Sequence, residues 1–297
     1  MANHILKLAR IQDLEVRRLA DAAIADGMTV LSPIVRQIVK QFRSGELMFR
    51  DVPAIMEPLR AVFLNASTVS HMAGRWRVFQ NASNYTKSKI EFGLMEESLA
   101  KLQGAMKMTP DDVAKISVKY GENVAHVWEQ LTTAADTAVR SAIVETHMEN
   151  LHIREASKLM RTRIATAGLD PMEPYLMKTL LRTQLQLGYG AGRWEANQHP
   201  AIQEILWGYT YVTVGDDRVR PNHEMLDGTT RPKDDGIWWT SWPPNGYNCR
   251  CSTIELFEPA ELSPEQEPKE FDDGSIYRAE PDVGWAFNPG LVISEAA

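Results

Sequence analysis

Cys249 and Cys251 are the only cysteines in this chain of 297 residues. They stand two positions apart in Asn248-Cys249-Arg250-Cys251, downstream of His223. Thiolate and imidazole are preferred zinc ligands. In a strand, side chains two apart share a face. Both thiols could then meet one zinc ion, with His223 as a third ligand and Asp216 or Asp217 as a fourth. Against this, zinc-binding cysteine pairs are usually separated by two to four residues, and here one intervenes. A second reading makes both cysteines small buried apolar side chains, with His223 bonded to loop backbone. A third pairs thiol and imidazole as nucleophile and base, but no nucleophile elbow or oxyanion loop accompanies them. Packing ranks first and metal second. Catalysis ranks last, so no catalytic residue and no obligatory cofactor are expected.

The surrounding stretch must position these groups. Trp207–Val214 alternates with period two and predicts a strand. Gly215-Asp216-Asp217 turns the chain, and Arg220-Pro221 opens a short helical segment closed by Asp227-Gly228. A loop carrying Trp238, Trp239 and Trp242 leads to Pro243-Pro244-Asn245-Gly246. A second strand is predicted from Cys249 to Phe257, with Arg250 facing away from the thiols toward Asp216 or Asp217. Trp238, Trp239, Trp242 and Tyr247 suit either a binding surface or cover for a small sheet.

Upstream, the periodicity is helical. One helix is expected to end near Asp26-Gly27. A second starts at Ser32-Pro33 with Ile34, Val35, Ile38, Val39 and Phe42 on one face. Pro53 and Pro58 read as interruptions, with a loosely helical polar segment from Ala61. Thr109-Pro110 starts another helix, with Val124, Val127, Trp128 and Leu131 on one face beyond Gly121. Asp170-Pro171 with Glu173 reads as a capping box, opening a helix that meets Gly188, Gly190 and Gly192. A short helix is expected at Ser263-Pro264. The fold class is α+β: a long, mostly helical N-terminal region (1–168), a small α+β domain with a short antiparallel sheet (169–258), and an acidic tail (259–297).

Composition bounds the rest. Hydrophobic residues make up 44% of the chain, enough for a sizeable core. No secretory signal or membrane-length apolar run is expected, and two cysteines argue for a reducing compartment. The net charge of −7 is concentrated at the end: residues 201–297 carry 7 Lys+Arg against 18 Asp+Glu. The front half is mildly basic, with Arg17-Arg18 and the run Arg154–Arg163 as candidate DNA contacts.

DDRVRPNHEMLDG, then PPNGYNCRC and a strand, resembles the fingerprint of the phage Mu F-like family, the minor head or head morphogenesis proteins of tailed phages. The residues that carry it are Asp216, Asp217, Arg218, Arg220, Pro221, His223, Asp227, Gly228, Pro243, Pro244, Gly246, Asn248, Cys249, Arg250 and Cys251. It covers roughly residues 172–257, with an echo in the tail at Asp282-Val283-Gly284-Trp285. The resemblance implies a virion component and not an enzyme, assembled in the host cytoplasm and resident in the head. Its implied partners are the portal protein or the major capsid protein, and phage DNA; no membrane is implied. Competing readings are a zinc-dependent or Cys-His enzyme (a hydrolase or a nucleotide-processing one) and a DNA-binding module.

Overall fold

The structure, a computed structural model, describes residues 2–47, 49–90 and 96–295. Its helices are α1 (Ala2–Ser44), α2 (Val52–Met56), α3 (Pro58–Ile90), α4 (Glu96–Met106), α5 (Pro110–Met148), α6 (Ile153–Ile164), α7 (Tyr175–Asn197), α8 (Pro200–Gln203), α9 (Pro221–Leu226), α10 (Ile237–Thr240) and α11 (Pro289–Glu295). The strands are β1 (Gly208–Val212), β2 (Thr230–Pro232), β3 (Ser252–Leu256), β4 (Lys269–Glu270) and β5 (Ile276–Tyr277). The expected α+β class is what the chain adopts, with helices leading and a small antiparallel sheet following. Two compact units are built from it. One comprises residues 1–18, 67–119 and 183–297, the other residues 19–66 and 120–182.

In the second unit the apolar stripes lie where their spacing put them. Leu31, Ile34, Val35, Ile38 and Val39 are buried, as are Val124, Val127 and Leu131. The expected break before Ser32 is absent: α1 is continuous and holds Pro33 inside it. Gly27 is therefore not a stop. A Cβ there would meet the Met177 side chain at 3.1 Å, so the glycine makes room for a neighbour. The Asp170-Pro171 capping box is also absent. Asp170 Oδ1 instead accepts from the Met172 N–H at 2.8 Å, and α7 begins only at Tyr175. Pro174 biases Glu173 away from helix, and Glu173 pairs with Lys178 at 2.7 Å. A capping box that the sequence reading does not include opens α6, at His152 and Glu155. Pro53 and Pro58, expected to interrupt helix, stand in the first turns of α2 and α3, where the missing N–H costs little.

One helical window departs from the expectation of no membrane-length apolar segment. Arg10–Ser44 within α1 has a mean hydropathy of 1.2 over 18 residues, and 44% of that window is buried in protein. Core helices of globular proteins share that profile, and Asp21, Asp26 and Arg36 interrupt the stretch.

The first unit carries the site, and its frame is a close crossing of α3 and α7. Gly188, Gly190 and Gly192 do not end α7, which continues to Asn197. A Cβ at Gly188 would lie 2.7 Å from the Ser67 carbonyl oxygen, and one at Gly192 2.8 Å from the His71 carbonyl carbon. Across the crossing, a Cβ at Gly74 would lie 3.1 Å from the Tyr189 Cα. Small residues let the two backbones touch, and Ser70 Oγ donates to the Leu185 carbonyl at 2.6 Å within the contact. This explains why the segment from Ala61 looks polar: Ser67, Ser70 and His71 are buried against the backbone of α7.

The main sheet has the order β2-β1-β3, with both pairings antiparallel. β1 is central and buried at all five positions, so its alternation does not mark a wet face. The core around it includes Phe79, Ile202, Tyr209, Tyr211, Trp238 and Trp242. No helix forms at Ser263-Pro264. Ser263 Oγ accepts from the Thr230 N–H at 2.9 Å and donates to the Gly228 carbonyl at 2.7 Å, which ties the chain to β2. The β4-β5 hairpin follows.

Glu195 on α7 gathers His71, Arg75 and Lys119 at 3.4, 2.6 and 3.2 Å. The His71 hydrogen bond, working against burial and helped by His71 and Lys119 charge, lowers the Glu195 pKa from 4.5 to about 2. A carboxyl depressed on folding stabilises above its unfolded pKa and loses that stabilisation as pH falls through the folded value. Glu195→Gln should therefore lower the melting temperature near neutral pH, with the gap to the native chain closing between pH 4.5 and about 2. Melting curves across that window check it, and a gap independent of pH would refute the assignment.

Candidate functional site

The fingerprint folds into one interlocked cluster. After β1, Gly215 turns with φ +66°, and Pro221 pre-sets the first turn of α9. That turn carries His223, which is buried. Asp227-Gly228 returns the chain to the sheet: Asp227 Oδ1 accepts from the Thr213 N–H at 2.6 Å, and the Gly228 N–H donates to Tyr211 O at 2.9 Å. Gly228 has φ +76°, a backbone conformation glycine adopts without penalty.

Pro243 and Pro244 are joined by a cis peptide bond, and Asn245 after them is buried. Its Nδ2 donates to Tyr211 Oη and to Ser241 O, both at 3.1 Å. A Cβ on Gly246 would sit 2.8 Å from the Asp282 carboxyl carbon and 3.0 Å from Arg220 Nη1, so a side chain there would have to push these two groups aside. Asn248 takes φ +54°, and its N–H donates to Thr183 Oγ1 at 3.0 Å.

Cys249 and Cys251 therefore precede β3 and do not lie in it, since the strand starts at Ser252. Their thiols nonetheless turn to the same side while Arg250 between them turns to the other, the alternation that a two-residue spacing gives. Each Sγ is 3.7 Å from His223 Nδ1. Both are free thiols and both are buried. The other imidazole nitrogen, Nε2, lies 3.1 Å from Asn245 O and 3.2 Å from Asp282 Oδ1.

Burial pushes the Cys249 thiol up, but hydrogen bonds from Cys251 and His223 and the His223 charge outweigh it and hold Cys249 low. Cys251 is pushed well up by the hydrogen bond to Cys249 and by burial. Burial also acts to lower His223; its Cys249 partner and the charge of Asp282 prevail and raise it.

Arg250 points the other way, as expected, and grips Asp216 with both terminal nitrogens at 2.6 Å. Arg250, opposed by partial burial and assisted by Arg218, keeps the Asp216 carboxyl well below the usual range. Asp216 is thus engaged by arginines, and neither it nor Asp217 joins the thiols and imidazole. The carboxylate that does is Asp282, which also lies 3.4 Å from Arg220 Nε and accepts from Asn222 Nδ2 at 3.1 Å. Sequence reasoning passed over that role. The available signal was the recurrence of Asp282-Val283-Gly284-Trp285 as a family-like ending.

Trp238 and Trp242 are core, each meeting Tyr209 edge-on, while Trp239 and Tyr247 are exposed. Beneath the sheet lies a pair no motif announced: Arg193 of α7 and Glu255 of β3, an ion pair whose side chains are 1% and 0% exposed. Arg193 Nη1 also donates to Ser252 Oγ at 3.0 Å, and Asn81 Nδ2 donates to Glu255 at 2.9 Å.

The cavity beside the thiols, about 10 Å³ and lined by His223, Cys249 and Cys251 among others, is of the size of one water and not of an organic substrate. The fingerprint residues thus bond to one another and to β1, α7 and the tail, forming one polar cluster on a helix-braced sheet. A family model described as Phage Mu protein F like protein matches residues 111–254, a little under half of the chain. A relative from Escherichia phage Mu carries the name capsid assembly protein F. It is 30% identical over 152 aligned residues, covering 39% of this chain and 32% of the relative. The Mu-like prophage FluMu F protein of Haemophilus influenzae is 37% identical over 85 residues, 29% of this chain and 20% of its own length. The chain thus matches about a third or less of these curated relatives. No solved structure matches it.

Proposed function

We propose that this protein is a capsid assembly, or head morphogenesis, protein of a tailed bacteriophage. It is structural in role and docks to the portal protein or to the major capsid wall inside the head. The observation that carries this reading is that the matched segment, residues 111–254, contains the whole interlocked fingerprint from Asp216 to Cys251. Phage DNA is the further partner that α6 would suit, because Arg154, Lys158 and Arg161 share its exposed side. Arg163, expected to join them, is paired with Glu145.

Quantitative mass spectrometry of purified heads, combined with cross-linking, tests this. The expected result is a few copies per head, with cross-links from this chain to the portal or the major capsid protein. A protein absent from purified heads, whose deletion leaves infectious titre unchanged, would overturn the proposal.

A further inference from the structure

We propose that His223, Cys249 and Cys251 bind one zinc ion, a site in which Asp282 orients the imidazole and water takes the fourth position. One possible ligand atom from each of the three residues lies within 4.8 Å of the others. Each sulfur is 3.7 Å from Nδ1. In a tetrahedral zinc site with bonds of ~2.0–2.1 Å to nitrogen and ~2.3 Å to sulfur, that edge is about 3.6 Å. Two of the three edges already have the length an ion would require.

Nε2 faces two acceptors, the Asn245 carbonyl and the Asp282 carboxylate. A proton on Nε2 satisfies both, and Nδ1, once zinc displaces any proton shared with the sulfurs, would offer its lone pair to the ion. A carboxylate bonded to the far nitrogen is the usual outer support of a metal-bound histidine. The sulfurs have support as well, since Tyr211 hydrogen-bonds to Cys251. Zinc would replace the protons shared among the two thiols and Nδ1 and release them to solvent. The small cavity against the three groups, which Val214 and Val219 also line, accommodates the water of the fourth position. Ligands from α9 and from the turn before β3, with Asp282 from the tail, would then be fastened by one ion. The inference stands on this geometry alone and does not depend on the capsid reading.

The test uses the full chain, purified under reducing conditions without chelator. Elemental analysis should find one zinc per chain. Cobalt(II) added to the metal-free chain should give thiolate-to-metal charge transfer and the strong visible bands of a tetrahedral site, with the charge transfer weakened in Cys249→Ser and Cys251→Ser. Those variants can fail to fold, so Asp282→Asn supplies the second arm. It keeps all three ligands and should weaken zinc affinity about 10–100-fold, whereas a merely structural hydrogen bond would lower the melting temperature of the metal-free and zinc-loaded chains alike and leave affinity unchanged. A native chain without zinc that also takes up no cobalt overturns the site. An unchanged zinc affinity in Asp282→Asn overturns the role given to Asp282.

Discussion

Arg193→Met should destabilise the first unit by about 3–5 kcal/mol, the cost of leaving a buried charge without its partner. Glu255 is 0% exposed and Arg193 1%, so water cannot replace the lost guanidinium. Asn81, at 2.9 Å, still donates one hydrogen bond but brings no charge. The reverse change, Glu255→Leu, should cost a similar amount. It strands Arg193, whose remaining partner, Ser252, is neutral. The double variant Arg193→Met/Glu255→Leu should recover most of the loss, because a buried ion pair and an apolar pair of similar volume are often near-equal in stability. Urea unfolding followed through tryptophan fluorescence reads this out, since Trp238 and Trp242 sit in the same core. Single variants within 1 kcal/mol of the native chain would mean that water reaches the pair.

The pair also marks a limit of the sequence. Arg193 follows Gly188, Gly190 and Gly192 in a stretch that looks like a helix end, so nothing there suggests a buried cation. Gly27, Pro33 and the Asp170-Pro171 pair depart from expectation for one reason: their local signals point to helix ends where tertiary contacts decide otherwise. Gly27 and the α7 glycines are packing devices, and only the neighbour they accommodate reveals that. By contrast, the Asp216–Arg250 pair and the convergence of Cys249 and Cys251 on His223 could be anticipated, because tight turns and short segments leave few alternatives. The convergence follows the two-residue spacing, although the strand itself starts only at Ser252. Asp282 could not be placed. It is 59 residues from His223 in sequence, and no periodicity links a turn-rich tail to a helix that far upstream.

The glycine crossing gives the other large expected effect. Gly192→Ala would place a Cβ against the His71 backbone, 2.8 Å from its carbonyl carbon and 3.0 Å from its Cα. A flexible side chain could swing aside, but a helix backbone cannot, so α3 and α7 must separate along their contact. Overpacking a core typically costs 1–3 kcal/mol, occasionally more. With backbone on both sides we expect about 3 kcal/mol or above, and Gly74→Ala, aimed at Tyr189 from the opposite helix, should behave alike. Separation would also strain the Ser70 hydrogen bond to Leu185 and move Arg193, one residue beyond Gly192, away from Glu255. Gly192→Ala and Arg193→Met should therefore be less than additive when combined. Gly104 in α4 and Gly121 in α5 serve as controls, since a Cβ at either meets nothing within 4 Å. Alanine there should stabilise by roughly 0.5–1 kcal/mol through helix propensity. Chemical denaturation of the four single variants decides the matter: if Gly192→Ala is as well tolerated as Gly104→Ala, the two helices do not approach as closely as this crossing requires.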